Sequence, residues 1–91
     1  MTVNQVFAKY PEIDSVILYG SRAKGNYTNG SDIDLTLCGE KLNFSLLCCI
    51  ANELDDLLLP YTFDISLFKQ IDNQDLLDHI KRVGVVFYPE Q

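Results

Sequence analysis

Thirteen acids against seven bases give this 91-residue chain a formal charge of −6, a poor balance for wrapping a nucleic-acid backbone, whose affinity comes mostly from lysine and arginine on phosphates. With 47% hydrophobic and 22% charged residues, the composition is that of a soluble globular protein with one domain over residues 1–91. No apolar run reaches the roughly 18–20 residues of a bilayer span, and MTVNQVFAKYPE lacks the basic-then-apolar pattern of a signal peptide, so a cytoplasmic protein with no membrane association is expected.

Val3, Val6, Phe7 and Tyr10 fall at helical spacing until Pro11 stops the pattern, which predicts a short first helix. SVILYG, Ser15 to Gly20, is a compact β-rich apolar run ended by glycine and reads as a buried strand. Asn26 to Ser31, NYTNGS, is a dense turn signal. DIDLTL then alternates, with Asp32, Asp34 and Thr36 on one face and Ile33, Leu35 and Leu37 on the other.

Asn43 is a suitable N-cap for a helix over Phe44–Leu59, whose apolar face carries Leu47, Ile50, Ala51, Leu54, Leu57 and Leu58, and Pro60 ends it. Tyr61 to Phe68 alternates again, with Thr62, Asp64 and Ser66 opposite Phe63, Ile65 and Leu67. Asp72 or Asn73 can cap a last helix carrying Leu76, Leu77, Ile80 and Val83, on which His79 reads as an exposed residue. Gly84 suits its left-handed C-terminus, and VVFY, Val85 to Tyr88, reads as a final strand. The order α-β-loop-β-α-β-α-β predicts an α/β (α+β) fold, a small mixed sheet of about four strands with helices packed on it. Cys38, Cys48 and Cys49 have no metal-ligand spacing and a single histidine for company, so half-buried free thiols are expected.

The connections carry the functional content. The short loop makes the first two strands antiparallel, and a helical crossover makes the second and third parallel. Gly20-Ser21, Asp32, Asp34 and Asp64 then converge. An Asp-x-Asp in a strand is by itself an ordinary solvated edge feature, and Gly-Ser after a strand is ordinarily a turn. Three converging carboxylates are different: they repel, and keeping them ionised requires a cation. Mg²⁺ suits them as a hard ion that takes carboxylate and phosphate oxygens, with Mn²⁺ as the alternative. Asp64 is also placed to take a proton from an attacking hydroxyl. Ser21 and freed backbone N–H groups suit terminal phosphate oxygens, and Arg22 and Lys24 suit their charge.

Gly20-Ser21-Arg22-Ala23-Lys24-Gly25 followed by Ser31-Asp32-Ile33-Asp34-Leu35 resembles the signature of the DNA polymerase β-like nucleotidyltransferases. The GSRAxG form and the short chain resemble its minimal nucleotidyltransferase branch, and Asp64 in Phe63-Asp64-Ile65 matches the family's third acid. The resemblance implies transfer of AMP from ATP to a hydroxyl with two Mg²⁺ ions. Asp32, Asp34 and Asp64 would be the catalytic, metal-holding residues, and Gly20, Ser21, Arg22, Lys24 and Ser31 the nucleotide- and phosphate-binding ones. Minimal members often pair with a HEPN-domain toxin, which implies an antitoxin that modifies a toxin tyrosine. The alternative is a non-catalytic antitoxin that masks the toxin. A homodimer or hetero-oligomer accords with so small a domain. A chain this short has little with which to recognise a small acceptor, so a protein is expected to supply the hydroxyl, and an acidic surface favours a basic one.

Overall fold

A computed structural model describes residues 2–19, 32–59 and 62–89. The elements are α1 (Val3–Ala8), β1 (Ser15–Tyr19), β2 (Asp32–Cys38), α2 (Phe44–Asp55), β3 (Thr62–Leu67), α3 (Gln74–Val83) and β4 (Val85–Tyr88), with one 3₁₀ turn over Phe68–Gln70. The four strands form one sheet in the order β3-β2-β1-β4. β1 runs antiparallel to β2 and to β4, and β2 runs parallel to β3, so the sheet is mixed as the connections predict.

Each helix starts where a side chain can satisfy its free N–H groups. Thr2 and Gln5 form a reciprocal capping box on α1, which the apolar spacing alone does not reveal. The side chains of Asn43 and Asn73 accept from the N–H groups of Leu46 and Leu76, which settles the second cap on Asn73 rather than Asp72.

The helix ends depart from the periodicity. α1 stops at Ala8, because Lys9 and Tyr10 bond to Val6 and Phe7 in a tightening turn. α2 stops at Asp55 rather than Leu59: Leu57 and Leu58 donate three residues back, to Leu54 and Asp55. Leu58 is turned to φ 55° and stands 88% exposed, so it leaves the apolar face that extrapolation gave it. β3 ends at Leu67, since Phe68 belongs to the 3₁₀ turn. Gly84 is extended at φ −66°, not left-handed. The need for glycine there is space, because a Cβ would lie 2.3 Å from the Ile80 carbonyl oxygen and 2.7 Å from Ile17 Cγ2. Gly84→Ala is therefore expected to lower stability by about 1–3 kcal/mol through overpacking, measurable by denaturant titration.

The two sheet faces have different work. Val16, Ile33, Leu35, Leu37 and Leu67 point to one face and are buried with Val6 and Phe7 of α1 and Ile50 and Leu54 of α2. Phe7 also meets the rings of Phe87 and Tyr88, at centroid distances of 6.2 and 5.6 Å. α3 packs against β1 from the other side, with Gly84 against Ile17 and the His79 ring edge-on to Tyr19 at 6.5 Å. His79 is thus half-buried rather than exposed. Cys48 and Cys49 are exposed, because they fall on the outer side of α2, and only Cys38 is half-buried; all three are free thiols.

Glu53 fastens α1 to α2, accepting from the Lys9 ammonium and the Tyr10 hydroxyl. The Lys9 and then the Tyr10 hydrogen bond hold its carboxyl below the usual range. The Glu53 carboxylate in turn pushes the Tyr10 phenol up to about 12. A lowered carboxyl stabilises the fold above its unfolded value, and the contribution is lost as pH falls through the folded value. A raised phenol stabilises below its ordinary value, and the contribution is lost as pH rises toward about 12. Tyr10→Phe is therefore expected to melt below the wild type at neutral pH, with the gap closing on both the acid and the strongly alkaline side. Melting curves across pH test this, and a gap that does not change with pH would contradict it.

Candidate nucleotidyltransfer site

The face opposite the main core carries the candidate site. Register places Tyr19 of β1 directly opposite Asp34 of β2, and Asp34 directly opposite Asp64 of β3. Residues paired in register share a face, so two carboxylates and a phenol form one row across three strands. The next row on that face is Ile17, Thr36 and Ser66. β2 lies inside the sheet, with β1 and β3 on its flanks. Its aspartates therefore do not belong to a solvated edge strand. Ile33 and Leu35, 7% and 0% exposed on the far face, pin the pleat and fix which way Asp34 points.

Asp34 is half-buried and Asp64 exposed, so the pair opens to solvent on the Asp64 side. Neighbouring strands lie about 4.8 Å apart, a spacing at which two carboxylates repel and a shared cation relieves both. The donors are hard oxygens, the chemistry that Mg²⁺ prefers. Among the described residues no group of three or more His, Cys, Asp or Glu side chains stands ready to hold a metal. For Asp32 the structure gives the backbone, paired with Thr62 in the same ladder. Gly20, Ser21, Arg22, Lys24 and Ser31, the expected phosphate-binding residues, lie outside the described residues, as does the NYTNGS turn.

Tyr19 joins the carboxylate row without any motif in the sequence to announce it. SVILYG reads as a uniformly apolar run, and only the register reveals that Tyr19 shares the carboxylate face. The one signal available was the alternation Ser15, Ile17, Tyr19, which puts the phenol at the loop end of the strand. Burial, above all, raises its phenol above the ordinary value; the Ser66 hydroxyl acts against that, and the charges of Asp34 and Asp64 add to it. Thr36 lies in the row behind Asp34 and is fully buried. Its Oγ1 has no hydrogen-bond partner among the described residues. Ser66 Oγ is likewise buried with no partner among the described residues, so two hydroxyls lie in the row behind the carboxylate pair.

The described residues thus place a carboxylate pair on adjacent parallel strands, at the end of the sheet where β2 and β3 begin. The Polymerase beta nucleotidyltransferase family model matches residues 1–91. The chain belongs to that family. It is 31% identical over 81 residues to MJ1547 of Methanocaldococcus jannaschii, a candidate protein adenylyltransferase. That match covers 87% of this chain and 59% of the relative's length, so the chain spans less than two thirds of it. Its fold is that of a chain in the crystal structure of a toxin-antitoxin with AMP-PNP, with a TM-score of 0.78 at 19% identity over 100% of this chain and 76% of the other. A mutant of the toxin-antitoxin MntA-HpeT superposes with a TM-score of 0.75 at 17% identity and the same coverage. The four-stranded mixed sheet with three helices is the nucleotidyltransferase fold.

Proposed function

We propose that this protein is a metal-dependent adenylyltransferase that moves AMP from ATP onto a hydroxyl of a partner HEPN-type toxin, a tyrosine hydroxyl, and acts as its antitoxin. The observation that carries this reading is Asp34 standing directly opposite Asp64 on parallel strands of a nucleotidyltransferase fold. The similarity to MJ1547, and the fold shared with chains of toxin-antitoxin crystals, one of them with AMP-PNP, support the nucleotide and the kind of partner.

In this reading the acceptor oxygen attacks the α-phosphorus of ATP. The bond between that phosphorus and the oxygen bridging to the β-phosphorus breaks, and pyrophosphate leaves. The acceptor proton passes to the Asp64 carboxylate, the exposed member of the pair and so the one an incoming hydroxyl can reach. Asp32, Asp34 and Asp64 would hold Mg²⁺, which supplies charge neutralisation on the triphosphate. Ser21, with the Gly20 turn, would grip the terminal phosphates, and Arg22, Lys24 and Ser31 would complete the phosphate contacts. The half-buried position of Asp34 fixes the site from below, and the Tyr19 ring walls it on the β1 side.

The test mixes the protein with labelled ATP, Mg²⁺ and the protein encoded by the adjacent reading frame. Label on a tyrosine of that neighbour, lost with a chelator, supports the proposal. Full neutralisation of the neighbour's toxicity with no label transferred would replace it with the masking antitoxin.

A further inference from the structure

We propose that Leu58 is a docking anchor through which the acceptor protein engages the site; this rests on the adenylyltransferase reading above and names how its partner binds. Leu58 is 88% exposed, the most exposed large apolar side chain among the described residues. It is also the one non-glycine residue among them at positive φ, 55°, a region that bulky side chains rarely adopt. Glycine or asparagine would suit both the backbone and the water better. A leucine that gains nothing from the core and sits in a strained turn is placed for contact outside its own chain.

Its place in the fold says where. β2 runs from Asp32 toward Cys38, α2 returns, and the turn after Asp55 leads to β3, which starts at Thr62 beside Asp32. Leu58 therefore lies at the same end of the sheet as the carboxylates, six residues before Asp64, within about 20 Å of chain. Leu58 is anchored to the end of α2, its N–H donating to the Asp55 carbonyl at 3.1 Å and Leu54 buried one turn earlier. Phe44, the second most exposed apolar residue at 68%, starts α2 at the opposite end of the sheet.

Asp55 and Asp56, both exposed, precede this knob by three and two residues. An apolar side chain beside two acids fits a partner polypeptide with a small apolar socket rimmed by lysine or arginine. Such a partner would bring its acceptor hydroxyl alongside Asp64.

The test uses Leu58→Asn and Leu58→Gly, with Phe44→Ser as the control, and the adjacent-frame protein as the probe. Both Leu58 variants are expected to melt at or above the wild-type temperature, since each relaxes the turn. Their KM for the neighbour and their Kd for it by calorimetry are expected to rise at least about tenfold. Affinity for AMP-PNP should not change, and Phe44→Ser should bind like the wild type. Wild-type labelling matched by both Leu58 variants would overturn the docking role alone, as would an equal loss in Phe44→Ser. A neighbour that no form labels would overturn the adenylyltransferase reading and this inference with it.

Discussion

Asp34→Asn is expected to abolish nucleotide transfer while leaving the protein folded. The substitution keeps the shape of the side chain and removes one charge from a row that also holds Asp64. A carboxylate that holds a divalent cation against a triphosphate contributes several kcal/mol in the transition state, so the loss should be about a thousandfold or more. Stability should hold or rise slightly, because a like charge about one strand spacing from Asp64 is gone. Tyr19 gives an independent check that the row exists in solution. The Asp34 charge raises its phenol, after burial and alongside Asp64. In Asp34→Asn that phenol should titrate lower than in the wild type, with burial keeping it above the ordinary value. An ultraviolet titration compared with Tyr19→Phe isolates the change. Retained transfer in a folded Asp34→Asn would remove the site from this face.

Leu35→Ala is expected to cost about 2–5 kcal/mol, the largest effect on stability of any substitution considered. Leu35 is fully buried in the centre of β2, between the Asp34 and Thr36 positions and on the opposite face, packed in the cluster with Phe7, Ile50 and Leu54. No neighbour can collapse into the space without dragging a strand or a helix with it. Total stability for a domain of this size is roughly 5–14 kcal/mol, so the variant should lie near the edge of folding. Because Asp34 takes its direction from the burial of Leu35, the site should loosen before the fold is lost. Saturating Mg²⁺ and AMP-PNP should then raise the melting temperature of Leu35→Ala as binding pulls the native state by mass action. Denaturant midpoints with and without nucleotide measure both effects. A cost under about 1 kcal/mol would mean the site is not built on this core.

Much of the architecture is legible because the alternation is clean. Ile33, Leu35 and Leu37 against Asp34 and Thr36 fixes the β2 pleat, and the helical connection makes β3 parallel, which alone brings Asp34 and Asp64 together. Asn43 and Asn73 announce their helices by side-chain chemistry. The failures have physical causes. Periodicity has no term for where a helix unwinds, so Leu58 was drawn onto a face that the helix no longer has when it arrives there. A glycine after a helix suggests conformational freedom, but the structure uses the lack of a side chain at Gly84 beside Ile17. Tyr19 reads locally as one more residue of an apolar strand, because register, a long-range property, decides that it faces the carboxylates. The placement of β4 against β1, with a bulge between Val16 and Ile17, left no local signature.

An adenylyltransferase moves AMP and releases pyrophosphate, whereas a kinase would move the γ-phosphoryl group. Two parallel reactions test this difference most directly, each with Mg²⁺ and the adjacent-frame protein, one with ATP labelled at the α-phosphorus and one with ATP labelled at the γ-phosphorus. The neighbour is expected to acquire the α label and none of the γ label, and Asp34→Asn and Asp64→Asn are expected to transfer neither. Transfer of the γ label, or α-labelling that survives in both variants, would contradict the adenylyltransferase reading.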